Sequence, residues 1–204
     1  MNENLAKSRF VAVASIAAEL SAVMEVAKEI SLAAANAKAI AFRAGEKAKG
    51  FQPITDFIND LAKETITLVN SINDHALLLY RLTVDEHCSA MACRQFEKIA
   101  ELAKSAPYAD SLQIPLKNAQ SRMSSSKREF VKHVNELLEQ LADVMHPARA
   151  ARVIAANSRI EASQAGEYLQ SLQAVAESVD HAAQIINVKV NRCRSALNLI
   201  NNDD

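Results

Sequence analysis

Glycine and proline are scarce in this chain, with three Gly and four Pro among 204 residues. Aromatic residues make up 4 % of the sequence, and Trp is absent. Sheet proteins need many turns and therefore many Gly and Pro residues, so this scarcity excludes that class. Because Gly and Pro destabilise helix interiors, a chain that is 50 % apolar and nearly lacks them is typical of long helices. We therefore predict an all-α protein, large enough to bury a substantial core.

The chain also lacks a strong excess of one charge, because 23 basic and 24 acidic residues are interspersed along it. The sequence has no block of Lys and Arg residues, so it predicts no basic surface for binding nucleic acid or an anionic membrane. No apolar run approaches the roughly 20 residues of a spanning helix, so we expect no membrane span. Three cysteines, an odd number without framework spacing, favour a reducing compartment and thus the cytoplasm. No nucleophile–base pair, paired-carboxylate site or phosphate-binding loop is visible, so we expect neither an enzyme nor a cofactor.

Apolar residues recur at alternating steps of four and three, the spacing of helices that pack in a bundle or coiled coil. Four such stripes predict helices over 3–48, 52–105, 116–165 and 168–201. The first stripe consists of Ile16, Leu20, Val23, Ala27, Ile30, Ala34, Ala37, Ala41 and Ala44. The third consists of Phe130, Val134, Leu137, Leu141, Val144, Ala148, Ala151, Ala155, Ser158, Ala162 and Ala165. His146-Pro147 falls inside the third helix and predicts a kink there, because proline removes a backbone hydrogen bond.

All three glycines lie at or beside an Ala-Gly-Glu triplet, and the two triplets belong to a longer internal match. AANAKAIAFRAGE (34–46) and AANSRIEASQAGE (155–167) align at an offset of 121 residues, which also superposes the apolar stripes of the two halves. We interpret this as a duplication of a helical hairpin. Hairpin 1 covers 1–105 with a turn at about 45–51, a linker covers 106–116, and hairpin 2 covers 117–204 with a turn at about 166–171.

A single hairpin would expose its apolar stripes, whereas two hairpins can bury them in a long antiparallel four-helix bundle. Because the copies are equivalent, both turns should lie at the same end of one bundle domain. A bundle that buries its own stripes should also be monomeric. The fourth helix is the shortest, and we expect it to end near the level of Tyr80, beyond which the bundle thins to three helices.

The first turn carries an ordered set of residues: Asn36, Ala37, Ala41, Arg43, Ala44, Gly45, Glu46, Gly50, Phe51, Ile54, Asp56, Ile58, Leu61 and Ala62. The second copy keeps Asn157, Ile160, Glu161, Ala162, Ala165, Gly166, Glu167, Val175, Glu177 and Val179. This pattern resembles the hairpin tip of the cytoplasmic signalling domain of bacterial methyl-accepting chemoreceptors, over about 30 residues in the first copy. In that family each chain contributes one hairpin, and the tip of the two-chain bundle engages a histidine kinase and its coupling protein.

The resemblance implies a fused pseudo-dimer, in which one polypeptide makes the bundle that two chains usually make. It further implies a soluble signalling or scaffold protein that presents its paired tip to the chemotaxis kinase, the coupling protein or receptors. The first copy departs from the family at Ile40 and Pro53. The second departs at Gln164 and at Ser171-Leu172. Each copy therefore lacks part of the polar tip on which kinase docking depends.

Eight residues are candidates for the partner-binding tip: Asn36, Arg43, Glu46, Lys49, Phe51, Asn157, Glu161 and Glu167. A charged rim around an apolar anchor, Phe51, suits partner recognition. Local turn chemistry is the alternative for the glycines Gly45, Gly50 and Gly166, since glycine readily ends a helix in the left-handed conformation.

The sequence is also compatible with two other functions. Imidazole and thiolate are zinc ligands, so His75, His87 and Cys88 are weak candidates for a metal- or ligand-sensing bundle. Their spacing along one helix does not converge them on a single ion. The other alternative is a structural assembly module without a link to chemotaxis.

Overall fold

The computed structural model describes residues 3–105 and 109–202, and this part of the chain consists of helices joined by short turns. Its α-helices are α1 (Glu3–Ala44), α2 (Phe51–Leu102), α3 (Gln113–Asp143), α4 (Met145–Ala162) and α5 (Leu169–Asn202). Short 3-10 helices occupy Gly45–Ala48, Ala109–Leu112 and Gly166–Tyr168. No strand occurs among the described residues, so the predicted all-α class is confirmed.

Pro147 accounts for the break between α3 and α4. Proline has no N–H to donate to the carbonyl of Asp143, four residues earlier, and its ring crowds that carbonyl. The helix is interrupted at Val144, whose own N–H still reaches the Gln140 carbonyl at 3.3 Å. The third helix is therefore not continuous over 116–165, and the distortion predicted at His146-Pro147 takes the form of this interruption.

The connection between the two halves is shorter than predicted on its C-terminal side. α3 begins at Gln113, inside the predicted linker 106–116, and Pro115 occupies its first turn. Proline is well suited to that position, because the first turn of a helix needs no backbone donor. Pro107 belongs to 106–108, which lie outside the described residues.

The helices form an antiparallel four-helix bundle in which the α3–α4 pair acts as one broken helix. α1 packs against α2 and α5, while α4 packs against α5 and α2. The predicted first stripe is buried from Ile16 to Ala41, and Ala44 at its end is half-buried. Each fully buried Leu, Ile or Val contributes roughly 1.5–3 kcal/mol of transfer free energy, so the stripes supply most of the driving force for folding.

Two pairs of cross-helix contacts repeat at the 121-residue offset of the duplication. Ser31 Oγ donates to Asn59 Oδ1 at 2.9 Å between α1 and α2. The equivalent positions, Arg152 and Asp180, form an ion pair at 3.6 Å between α4 and α5. The two hairpins are thus built alike in contacts as well as in sequence.

The second repeated contact joins the two hairpins to each other. Gln140 Nε2 donates to Ser71 Oγ at 3.4 Å between α3 and α2. At the equivalent positions Arg192 lies 3.3 Å from Glu19. Lys189 lies 2.7 Å from the same carboxylate, and these two cations hold the pKa of Glu19 below its usual value against the opposing effect of desolvation. Equivalent surfaces therefore meet on both sides of the bundle, as a pseudo-two-fold arrangement requires.

A buried ion pair closes the bundle at the end away from the turns. Arg9 and Glu86 are 0 % and 2 % exposed, and the Arg9 guanidinium donates to the Glu86 carboxylate. The guanidinium carbon also lies 4.2 Å from the centre of the Phe130 ring, a cation–π contact. A polar pair so fully removed from water is stable only because each charge has its partner.

The bundle thins beyond this layer. Arg192 of α5 pairs with Glu19 of α1, and α5 ends as many residues past Arg192 as Arg9 lies before Glu19. α5 therefore stops near the level of Arg9 and of Tyr80, as predicted. α1 begins less than two turns before Arg9, so the predicted three-helix layer is short. Beyond it the prediction of three helices is wrong, because the last turns of α2 and the first turns of α3 continue as a two-helix extension. Beyond the layer of Arg9 and Glu86 the buried positions of α2 and α3 are small: Ser89, Ala90, Cys93 and Ala119.

Candidate docking tip

The first turn is formed by a glycine in the left-handed conformation. Gly45 follows the last residue of α1 and has φ +58°. A residue with a Cβ is strained at this φ, which glycine adopts freely. A 3-10 helix over Gly45–Ala48 then leads into α2. The left-handed helix end predicted for this glycine is confirmed.

The second turn repeats the first at its equivalent position. Gly166 has φ +59°, and a 3-10 helix over Gly166–Tyr168 leads into α5. The two turns lie side by side, because Lys47 Nζ of the first is 3.9 Å from Glu167 Oε1 of the second. The prediction that both turns lie at the same end of the bundle is therefore confirmed, and we call these two turns together the paired tip.

Gly50 differs from the other two glycines. Its φ is −66°, an ordinary helical value, so the left-handed explanation is wrong for this residue. A methyl group at Gly50 would instead overlap the carboxylate of Glu161 on α4. Glycine lets a carboxylate from the second copy pack against the backbone of the first, and a larger residue here would displace the flexible end of the Glu161 side chain.

Six of the eight predicted tip residues are exposed: Asn36, Arg43, Glu46, Lys49, Asn157 and Glu167. Glu161 is half-buried beside Gly50. Phe51 is 0 % exposed, so it cannot be the apolar surface anchor that we expected. The first residue of α2 faces inward on the same side as Ile58, and the Phe51 ring fills the core beneath the turn.

The ion pairs around the tip are solvated. Lys38 and Asp56 lie 2.6 Å apart, but their side chains are 59 % and 57 % exposed. Lys49–Glu46 and the Lys47–Glu167 pair between the turns are more exposed still. Exposed pairs contribute about 0–1 kcal/mol each, so these charges define the surface of the tip far more than they stabilise it.

An apolar groove runs between α2 and α4 just below the paired tip. Its volume is about 470 Å³, and it is lined by Gly50, Ile54, Phe57, Ile154, Asn157, Ile160 and Glu161. Phe57 is 61 % exposed and Ile160 is 62 % exposed at its rim. Sequence reasoning missed both residues as surface candidates. Both are bulky apolar residues that lie outside the predicted apolar stripes, and this feature of the sequence could have identified them.

A larger depression of about 640 Å³ follows α3 from Lys117 to Val131. One helix supplies all of its lining residues, so it is an open helix face and not a cleft between elements. Lys117, Lys127 and Arg128 give this face a basic character.

The metal candidates are not brought together. His75 Nδ1 lies 2.6 Å from the Gln140 side-chain oxygen, and its ring is 6.3 Å from that of His133. His87 is half-buried and Cys88 is exposed, three turns further along α2. Among residues 3–105 and 109–202, no group of three or more His, Cys, Asp and Glu side chains is placed to hold a metal ion.

The apolar character of α1 is greater than we expected from the sequence. Within Ser8–Ala48 an 18-residue window reaches a mean hydropathy of 1.8 with at most two charged residues. By length and composition this helix could cross a membrane, contrary to our expectation of no such run. Core helices of soluble proteins can have the same composition, and the stripe of α1 is buried against α2 and α5, but only 28 % of the apolar window is buried in the bundle.

Comparison with known proteins adds no assignment. No protein-family model matches the chain, and none of the curated proteins matches it significantly.

Proposed function

We propose that this chain is a chemoreceptor-like signalling or scaffold protein without enzymatic activity, which uses its paired tip to dock on protein partners in the cytoplasm. The partners best suited to it are the chemotaxis kinase, its coupling protein, or the tips of receptors. The proposal rests on the receptor-like signature around Arg43 and Gly45 and on its partial repeat around Gly166.

The single observation that carries the proposal is the position of the two turns. The Lys47–Glu167 contact brings the turns of both hairpins to one end of one chain. This is the arrangement that the resemblance implies for two receptor chains. A tip made by one chain needs no second subunit, so we expect a monomer in solution.

Arg43 is the best single residue with which to test docking. It is exposed and lies within 4.0 Å of no acidic side chain in the described parts of the chain, so its guanidinium is available to a partner. Arginine is among the residues that most often dominate interface energies.

The experiment is co-sedimentation of the purified chain with assembled receptor, kinase and coupling-protein arrays. We expect saturable association that Arg43→Ala weakens about tenfold. Arg81→Ala removes an exposed arginine far from the turns and should leave association unchanged. A chain that stays in the supernatant at all concentrations would contradict the proposal and favour an assembly module without a chemotaxis link.

A further inference from the structure

We infer that the groove between α2 and α4 takes a single protein segment, which inserts a bulky apolar side chain between Phe57 and Ile160 and places a Lys or Arg against Glu161. The opposite face of the bundle does not take this segment, so each molecule binds one. This inference rests on the proposed docking function and specifies the chemistry and the stoichiometry of the partner.

The apolar part of the groove is suited to a side chain from another protein. Phe57 and Ile160 are 61 % and 62 % exposed, while Ile54 and Ile154 are half-buried between them. The volume of about 470 Å³ is within the range of sites that enclose a ligand group. Solvated apolar side chains on both walls of one cleft gain transfer free energy when a partner covers them.

Glu161 gives the groove its charge preference. Its carboxylate packs against Gly50 at one end of the cleft. Within the described ranges no Lys, Arg or His side chain lies within 4.0 Å of it, whereas Glu46 and Glu167 nearby each have a lysine. A cation carried by the partner would supply the missing counter-charge in a partly desolvated position, where the pairing discriminates against acidic segments.

The duplication offers a comparison within the molecule, because each groove residue has an equivalent on the face formed by α5 and α1. Phe57 corresponds to Ser178, and Ile160 corresponds to Ala39. Both bulky walls are therefore missing from the equivalent face.

Glu161 corresponds to Ile40, so the carboxylate is missing there as well. The two hairpins thus share their fold, but the apolar walls and the carboxylate of the groove are not repeated in the second face. A partner that recognises the apolar walls together with the negative charge finds them on one face alone.

The test is a titration of the isoleucine-methyl-labelled 22.2 kDa chain with two synthetic amphipathic helical peptides, followed by NMR. The peptides share one Leu/Phe face and carry either Lys or Glu beside it. We expect the Lys peptide to shift the methyl resonances of Ile54, Ile154 and Ile160 with a stoichiometry of one. The Ile40 methyl on the opposite face should not move, and the Glu peptide should bind about tenfold more weakly.

Variants separate the two parts of the recognition. Ile160→Ser should weaken the Lys peptide about tenfold, while the matched control Leu32→Ser, at an equally exposed leucine away from the groove, should not. Glu161→Gln should remove the preference for Lys over Glu. All three changes are at positions outside the buried core, so the variants should fold like the parent chain.

A gain-of-binding variant tests the one-sided stoichiometry directly. Ala39→Ile combined with Ser178→Phe and Ile40→Glu restores both walls and the carboxylate on the opposite face. It should raise the number of bound Lys peptides toward two, and the methyl introduced by Ala39→Ile should respond. Equal shifts on both faces of the unmodified chain, or equal binding of the two peptides, would overturn the inference. If arrays still capture the chain in an Arg43-dependent manner under those outcomes, the proposed function stands and only the groove assignment fails.

Discussion

The buried pair between Arg9 and Glu86 gives the sharpest prediction for stability. Arg9→Met removes the cation that faces the buried Glu86 carboxyl, and the carboxyl must then stay charged without that cation or take up a proton. Protonating a glutamic acid at pH 7 costs about 1.36 kcal/mol per pH unit above its model-compound value near 4.3, hence about 4 kcal/mol. This agrees with the roughly 3–5 kcal/mol lost when one partner of a buried pair is removed.

The double variant Arg9→Met/Glu86→Leu replaces both charges by apolar groups and should recover most of that loss, because neither buried charge of the pair remains. The assay is urea unfolding followed by circular dichroism, with the free energy of unfolding compared across the cycle. At pH 5 the cost of Arg9→Met should fall to about 1 kcal/mol, since protonation is then easier.

The matched control for this cycle is the exposed Lys38–Asp56 pair, whose single substitutions to Ala should each change stability by less than about 1 kcal/mol. Additive losses in the Arg9/Glu86 cycle, or a pH-independent cost for Arg9→Met, would refute the reasoning.

Four other outcomes are expected. Gly45→Ala and Gly166→Ala should each reduce the free energy of unfolding by about 1–2 kcal/mol in the same urea assay, because alanine is strained at positive φ; equal stability would contradict the turn conformation. Apart from the chain ends, amide hydrogen exchange should be fastest in the two-helix extension of α2 and α3, because its buried side chains are small. Amide protection there as strong as in the bundle core would contradict this. Cys88 alone should react quickly with a thiol reagent at pH 8, because it is exposed while burial raises the pKa of Cys193 to about 12; two fast thiols would be inconsistent with the packing. The two cations lower the pKa of Glu19, which stabilises the fold above the unfolded-state pKa of about 4.3, and this effect is lost as the pH falls through the lower folded-state pKa. Glu19→Gln should therefore make stability fall less steeply with acidification below about pH 4.3, and an unchanged acid dependence would exclude this contribution.

The helices and their buried faces were predictable because periodicity acts locally. Every stripe member from Phe130 to Ala165 is buried, since a residue on an apolar face stays on that face along the helix. The break at Val144 also follows from local chemistry, because a proline always lacks its donor.

Pairings between distant residues were not predictable in the same way. Arg9 and Glu86 are 77 positions apart, and their contact depends on the register of α1 against α2, which the stripes do not determine. Glu86 itself lies on the buried face of α2. The buried arginine that compensates it is visible only in the packed bundle.

The tip shows the same limit. Phe51 and Phe57 are both aromatic residues near the turn, and the resemblance pointed to the first, which is buried, while the second is 61 % exposed. The difference depends on the rotation of α2 about its axis. The role of Gly50 likewise depends on Glu161, which comes from the other copy.

The central claim is that one chain folds two equivalent hairpins into a bundle with both turns at the same end. A direct test is pulsed electron spin resonance between nitroxide labels at Lys47→Cys and Glu167→Cys, with the native cysteines replaced and the labelled protein diluted in unlabelled chain. We predict a short distance, below about 25 Å, that dilution does not change, because the two positions lie on adjacent turns of one chain. A distance near the bundle length of about 60 Å, from a helix rise of 1.5 Å per residue, or a signal that disappears on dilution, would contradict it.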